Sequence, residues 1–411
     1  MTALPEDWSK LTLLDHLKRP ATYGVVKAGA FVSSGIPMLR GGDIKAGRIS
    51  FNLPQITPRK DQEYARTRLE TEDVVVALVG YPGESAIVPK RLSGANISRA
   101  VGLLRLSGKL RPDYLVHFLN SAIGRAEFLR PGAGSAQMVV NLKDLNKLEV
   151  PCPPTVAEQE AIAEALSDAD ALIEGLERLI AKKRCIKQGA MQDLLTAKRR
   201  LPGFSGEWVE TSFGQCFQFM RTGSASRSQL GTNLGVGYIH YGDIHGLRSS
   251  VLDLSRTRLP EIAPGKVATL SRVRDGDLVI ADASEDITDV GKSVEVRGVG
   301  GAAVVAGLHT FLLRGHPDIV ADGFKGYLQF LRDVRAGIES IATGSSVYGI
   351  SKKNLAELKF RVPPVDEQAA IGWLFHDMDA EIQALETRLD KARQVKEGMM
   401  QKLLTGRIRL V

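Results

Sequence analysis

The stretch GAMQDLLT, Gly189 to Thr196, returns as GMMQKLLT, Gly398 to Thr405, 209 positions later. Extending the alignment back to Glu158–Thr196 and Glu367–Thr405 gives 19 identities over 39 positions, where unrelated chains would share roughly two or three. Glu158-Gln159 matches Glu367-Gln368, and Asp168 and Asp170 match Asp377 and Asp379. The chain is therefore an internal duplication. A repeat of this length must place two similar elements in one molecule, and that constrains its fold more than any other feature.

The duplicated segment has helical spacing. Ile162, Leu166, Ala169, Ile173, Leu176 and Ile180 step by fours and threes, as do Ile371, Phe375, Met378, Ile382, Leu385 and Leu389. That is a coiled-coil seam. Prolines at 153–154 and 363–364 block helix from entering upstream. Thr155 with Glu158 fits a capping box, with Asp366 standing in for the threonine in the second copy. Forty helical residues span roughly 60 Å. So narrow an apolar stripe needs a partner, and the other copy, packed antiparallel, is the expected one.

Fainter matches extend the repeat. GGDIKAGRIS near Asp43 answers YGDIHGLRSS near Asp243, Trp8 answers Trp208, and GSAQMVVNLKDL (Gly134 to Leu145) answers GSSVYGISKKNL (Gly344 to Leu355). EDVVVAL and GDLVIAD are alike, with other short β-rich runs in SAIVPKRL, VGLLRL and HTFLLRG. RPDYLVHFLNSAIGRAEFL and FKGYLQFLRDVRAGIESI are helix candidates. The fold class expected is α+β, with two globular domains separated by two long helices packed as an antiparallel coiled coil, and a pseudo-two-fold internal repeat. The expected boundaries are 1–153, helix 154–198, 199–362 and helix 363–411. At 411 residues, more than one core is required. The repeat offset is constant along the helices and drifts in the globular parts, so insertions fall in loops while helix length is held.

Catalytic signatures are missing. There is no GxxxxGK[ST] loop and no HExxH, and the glycines of VGYPGES and RGVGGAA lack a strand–GxGxxG–helix setting. The Pro-Pro pairs lack the flanking polar and aromatic residues of amino-methylating enzymes. Asp282, Glu285, Asp286 and Asp289, with Lys292, suggest a metal site in one half only; a solvated acidic loop is the favoured reading. His240 and His245 form no ligand set with Cys152, Cys185 or Cys216, which are too few and too scattered for a disulfide framework. No metal is expected. No run approaches 18 apolar residues and the N-terminus carries no secretory pattern, so no membrane association and a cytoplasmic location are expected. The formal net charge of +7 is compatible with phosphate binding.

With its duplicated helices, its Pro-Pro-x-x-x-Glu-Gln helix entries and its paired GDI turns, the chain resembles the specificity (S) subunits of Type I restriction–modification systems over nearly its whole length. The most specific segments are EQEAIAEALSDADALIEGLERLIAKKR and EQAAIGWLFHDMDAEIQALETRLDKAR, each running on to LLT. One departure is Ala197, where the second copy has Gly406 after the threonine. The resemblance implies a non-catalytic subunit whose two target-recognition domains each read one half of a split double-stranded DNA site, with the helices setting the gap. It also implies two modification (methyltransferase) subunits as partners, using S-adenosylmethionine to methylate adenine N6. Motor-nuclease restriction subunits join in complexes that cleave. No cofactor is expected on this chain.

Candidate DNA contacts are basic or polar side chains beside Gly or Ser in loops: Arg40, Lys45, Arg48 and Arg99 in the first half, and Arg221, Arg227, Tyr241, His245 and Arg248 in the second. Asp43 and Asp243 read as turn-formers. The apolar helix ends, Met191, Leu194, Leu195, Met400, Leu403 and Leu404, are expected to dock partner subunits. Two other classes stay open on the residues alone: a self-contained DNA-modifying or DNA-cleaving enzyme, and a coiled-coil scaffold without DNA function.

Overall fold

The structure, a computed structural model, describes residues 4–129, 140–247 and 249–410. Gly134–Val139 of the repeated Gly-Ser segment lie outside them. The chain divides into two compact units, Met1–Glu177 with Thr387–Val411, and Arg178–Glu386. Two helices of 39 residues each, Val156–Leu194 and Val365–Leu403, both contribute to each unit.

Each unit contains a closed α+β domain. In the first, the entering strand Ser9–Thr12 pairs antiparallel with Glu149–Cys152, the strand that leads into the first long helix. In the second, Val209–Ser212 pairs with Lys359–Val362 in the same register. Lys10 meets Glu149 on the first ribbon, and Glu210 meets Lys359 on the second with the charges exchanged. The central sheet of the first domain runs Thr22–Tyr23, Val101–Leu104, Val74–Ala77, Ser85–Ile87. Its counterpart runs Phe217–Met220, Thr310–Gly315, Leu278–Ala281, Ser293–Arg297, with Val251–Asp253 added at the edge. Val74–Ala77 and Leu278–Ala281 are buried on both faces, which explains their unbroken apolar sequence. Beside each sheet Asp73 or Asp277 takes a two-pronged bond from Arg105 or Arg314, which keeps the buried carboxylate paired. The two long helix candidates both break: the first into Pro112–Asn120 and Ala122–Leu129, the second into a 3₁₀ segment Lys325–Phe330 and a helix Arg332–Ile341.

Within each unit the two long helices run antiparallel, and two ion pairs between them follow the repeat, while Lys183–Glu381 in the second unit has no equivalent in Ala392 and Leu172. In the first unit Lys396 Nζ lies 2.5 Å from Asp170, and Arg393 2.7 Å from Glu177. In the second, Lys187 Nζ lies 2.5 Å from Asp379, and Arg184 pairs with Glu386. Every member of one set is the repeat equivalent of a member of the other. These pairs are partly exposed, so each contributes about 0–1 kcal/mol; their value is in fixing register. The apolar seam supplies more, at about 1.5–3 kcal/mol per buried Leu or Ile. Leu176, Ile180, Ile382 and Leu389 are buried along it, while Ile173 and Leu385 are partly exposed.

The ends of the seam do more than face a partner helix. Ile162 and Leu166 merge into the core of the first domain together with Leu403 and Leu404; Ile371 and Phe375 merge into the second with Leu194 and Leu195. Each domain core is thus completed by the start of one helix and the end of the other.

The Glu-Gln entries explain themselves in the same way. Thr155 Oγ1 accepts the Glu158 N–H, but the Glu158 carboxylate does not turn back to complete a capping box. It is fully buried and takes Arg409, from beyond the end of the other helix, on both oxygens. Glu367, also fully buried, is bound by Arg200 in the same two-pronged way. The box expected from sequence fails because this glutamate is needed across the helix pair. Gln159 accepts the Arg111 N–H, and Gln368 accepts that of Ala321 while donating to the carbonyls of Ile319 and Pro363. Glutamate locks the partner helix; glutamine locks the domain.

Candidate nucleic-acid interface

In the first domain the turn Arg40–Asp43 packs so closely that a Cβ on Gly41 would lie 2.9 Å from the Val79 carbonyl and 3.3 Å from that of Ala100. This draws three segments into one corner: Arg40, the hairpin tip beyond Val79, and the turn holding Arg99. The hairpin Ile44–Ile49 joins them through Ala46 N–H, which donates to Glu84, and through the Ser50 N–H, which donates to the Asp43 carbonyl. Arg40, Lys45 and Arg99 are exposed there, and Lys45 and Arg99 have no ion-pair partner among the described residues. Tyr81 stands 70% exposed at the neighbouring tip. The sequence reading missed Tyr81, although its place between glycines in VGYPG signalled a projecting turn. Arg48 is differently placed, with its guanidinium 3.0 Å from Glu174 of the first long helix.

The second domain builds its corner on the short helix Tyr241–Gly246. Tyr241, at the position of Gly41, has room for a side chain. The rings of His240, His245 and His309 surround it at 4.5, 5.8 and 5.5 Å. His245 Nε2 lies 3.0 Å from the Ala283 carbonyl, and its own carbonyl accepts Lys292 Nζ. Burial holds the His240 imidazole below its ordinary pKa, against the pull of Asp243. Burial raises the Asp282 carboxyl, which His309 Nδ1 at 3.1 Å partly offsets. His309 has φ +53°, an unusual conformation for a side-chain-bearing residue. No feature of AGLHT announces that conformation, so His309 and its link to Asp282 escape a sequence reading. Arg227 is exposed and bound to Asp243; Arg221 is exposed without an ion-pair partner among the described residues. Arg248 lies outside the described residues.

The acidic segment is organised by its own backbone. Asp286 accepts the Thr288 N–H, and Arg335 donates to the carbonyls of Ile287, Thr288 and Val290. Among the described residues no three His, Cys, Asp or Glu side chains gather as a metal set, and no helix is long and apolar enough to cross a membrane.

The docking residues are placed otherwise than expected. Leu194, Leu195, Leu403 and Leu404 are buried in the domain cores, with Met191 and Met400 packed against them. Their apolar character is used up in seating the helix ends, so the four leucines have no free surface for a partner.

Known proteins resemble the chain over part or nearly all of its length. A family described as Type I restriction modification DNA specificity domain matches residues 20–182. The chain is 31% identical over 182 residues to the Type I restriction enzyme EcoBI specificity subunit of Escherichia coli, a match covering 43% of this chain and 38% of that protein. It is 22% identical to the EcoKI specificity subunit of Escherichia coli K12, over 99% of this chain and 89% of that one. Residues 20–182 thus match the Type I specificity family, and the chain as a whole is similar to such subunits at lower identity. The fold is likewise similar to the S subunit from M. genitalium (TM-score 0.58, 16% identity, 98% of both chains) and to the HsdS subunit from Thermoanaerobacter tengcongensis (TM-score 0.50, 18% identity, 99% of both). The relatives named are specificity subunits of Type I restriction enzymes.

Proposed function

We propose that the recognition domains, 1–153 and 199–362, each read one half of a bipartite, asymmetric sequence in double-stranded DNA, and that the helical segments 154–198 and 363–411 fix the gap between halves. The observation that carries this reading is the contrast inside the repeat. Helix length, seam spacing and two interhelix ion pairs are duplicated, whereas the corners differ: Gly41 against Tyr241, Arg40 against His240. Constant spacing and divergent contact surfaces are what a ruler with two readers requires. Half-sites read in successive major grooves lie about 34–36 Å apart or more.

In this reading the specificity subunit assembles with two modification subunits, which bind S-adenosylmethionine and methylate adenine N6, and motor-nuclease subunits join when the complex cleaves. The partners meet the outward faces of the helices; the leucines at the helix ends seat the domains. Arg40, Lys45 and Arg99 serve the first half-site, and Arg221, Arg227, Tyr241 and His245 the second, with Arg48 held on the helix by Glu174 until DNA competes for it.

Fluorescence anisotropy of labelled duplex with the purified assembly tests the proposal. Affinity should fall linearly in log–log against salt, with a slope near −0.9 per neutralised phosphate. A salt-independent signal, or no retention, would favour a scaffold without DNA function.

A further inference from the structure

We infer that Asp43 and Asp243 each orient one arginine, Arg40 in the first domain and Arg227 in the second, so that its free guanidinium edge reads a guanine in the corresponding half-site. The inference rests on the DNA-reading function proposed above.

Both aspartates hold equivalent places in the repeat, and both close a turn by accepting the N–H three residues back: Arg40 N–H at 2.8 Å and His240 N–H at 3.0 Å. A turn needs only that bond. In both domains the rest of the carboxylate is nevertheless given to a guanidinium. Arg40 donates from Nε at 3.0 Å and Nη2 at 2.9 Å. At the equivalent second position stands His240, whose Nδ1 accepts the Gly242 N–H instead. There the guanidinium comes from Arg227, sixteen residues away, with Nη1 at 2.8 and 3.0 Å from the two oxygens. The chain has changed which residue delivers the group and kept the group.

Stability is a weak reason for keeping it, because exposed ion pairs contribute little. Orientation is a stronger one. The side chains are 49% and 58% exposed, and each carboxylate engages only part of the fork. Arg40 retains Nη1 and the second Nη2 hydrogen, and Arg227 retains Nε and Nη2, for an outside acceptor. A guanidinium held on one side by a supporting carboxylate, with parallel N–H groups open on the other, matches the O6 and N7 acceptors of guanine in the major groove. Asp43 and Asp243 are positioning residues here.

The test uses the full chain co-expressed with its modification partner, with N6-methyladenine motifs sequenced and binding measured on duplexes carrying single base-pair changes. R40Q should reduce discrimination at one G·C pair of one half-site by on the order of ten- to a hundredfold, and R227Q should do so in the other half only. D43N and D243N keep an oxygen for the turn, so they should fold as the parent does by circular dichroism and yet relax the same base positions. R40K and R227K retain the charge and should fail to restore discrimination. The inference is overturned if the parental split motif persists with both halves unmoved in R40Q and R227Q. It is equally overturned if binding weakens uniformly on all sequences, which would mark phosphate contacts. Failure of the parent complex to methylate any split motif would instead defeat the underlying function.

Discussion

The two helix ends differ at the residue after Leu-Leu-Thr, and the structure predicts opposite responses to exchanging it. Ala197 and Gly406 follow the Leu-Leu-Thr of each copy, and both adopt left-handed conformations, φ +55° and +68°. Each ends its helix with a backward bond, from Ala197 N–H to the Leu194 carbonyl and from Gly406 N–H to that of Leu403. A Cβ in this conformation costs about 1–2 kcal/mol, while glycine loses about 0.4–1 kcal/mol through the entropy of the unfolded chain. Ala197 lies beside a cavity of about 380 Å³ that Trp208 also lines, so nothing there resists a change. Ala197→Gly should therefore stabilise by about 0.5–1 kcal/mol. At Gly406 a Cβ would stand 2.5 Å from Pro5 Cγ and 3.0 Å from Trp8 Cε2. Overpacking adds about 1–3 kcal/mol, so Gly406→Ala should destabilise by about 2–4 kcal/mol. A chain with two units need not unfold in one step. Hydrogen exchange of peptides 189–197 and 398–406 is therefore the suitable assay. Gly406→Ala should accelerate exchange at its own helix end by about one to three orders of magnitude, and Ala197→Gly should slow its end a few-fold. Equal responses of the same sign would refute the reasoning.

Two further outcomes follow from the helix pair. Glu367→Ala leaves Arg200 without its buried partner and should loosen the start of the second long helix in the same exchange experiment; the exchanged pair Arg200→Glu with Glu367→Arg should recover most of the loss, and a double variant no better than Arg200→Glu alone would contradict the assigned contact. Burial depresses the His117 imidazole, outweighing Asp170 and Asp113, which favour its charge, while Lys396 opposes it; Nε2 meets Ser167 Oγ at 3.0 Å. The folded state therefore takes up this proton less readily than the unfolded chain. Its stability is complete above the ordinary histidine value of about 6.5 and declines as pH falls through that value toward the depressed one. His117→Gln should remove this share of the decline between pH 7.5 and 5.5 in thermal unfolding, whereas an equal loss at every pH would show the residue matters only by packing.

Much of the fold was legible because the repeat carries it. The seam spacing Ile162–Ile180 and Ile371–Leu389 specifies long helices, and the Pro-Pro pairs mark where they begin. Short runs such as VVVAL, Val74 to Leu78, are all-apolar because their strands are buried on both faces. Contacts between distant residues were not legible. Glu158 and Thr155 have capping-box spacing, and only the folded chain shows that Arg409 takes the glutamate. Leu403 and Leu404 look like surplus apolar surface when the helix is considered alone, yet they fill a domain core. At the candidate interface the exposure of Arg40, Arg99 and Arg221 was legible from their Gly- and Ser-bearing loops, but the Asp243–Arg227 pairing and the strained His309 depend on loops meeting in space.

In the proposed function two independent readers share one spacer. Methylation sequencing of DNA from cells carrying this chain with its modification partner tests it most directly, comparing the intact chain with one whose 199–362 segment comes from a relative. N6-methyladenine should appear at a split motif, with one half replaced on the swap and the other half and the gap unchanged. A contiguous motif, or a swap that alters both halves or neither, would contradict it.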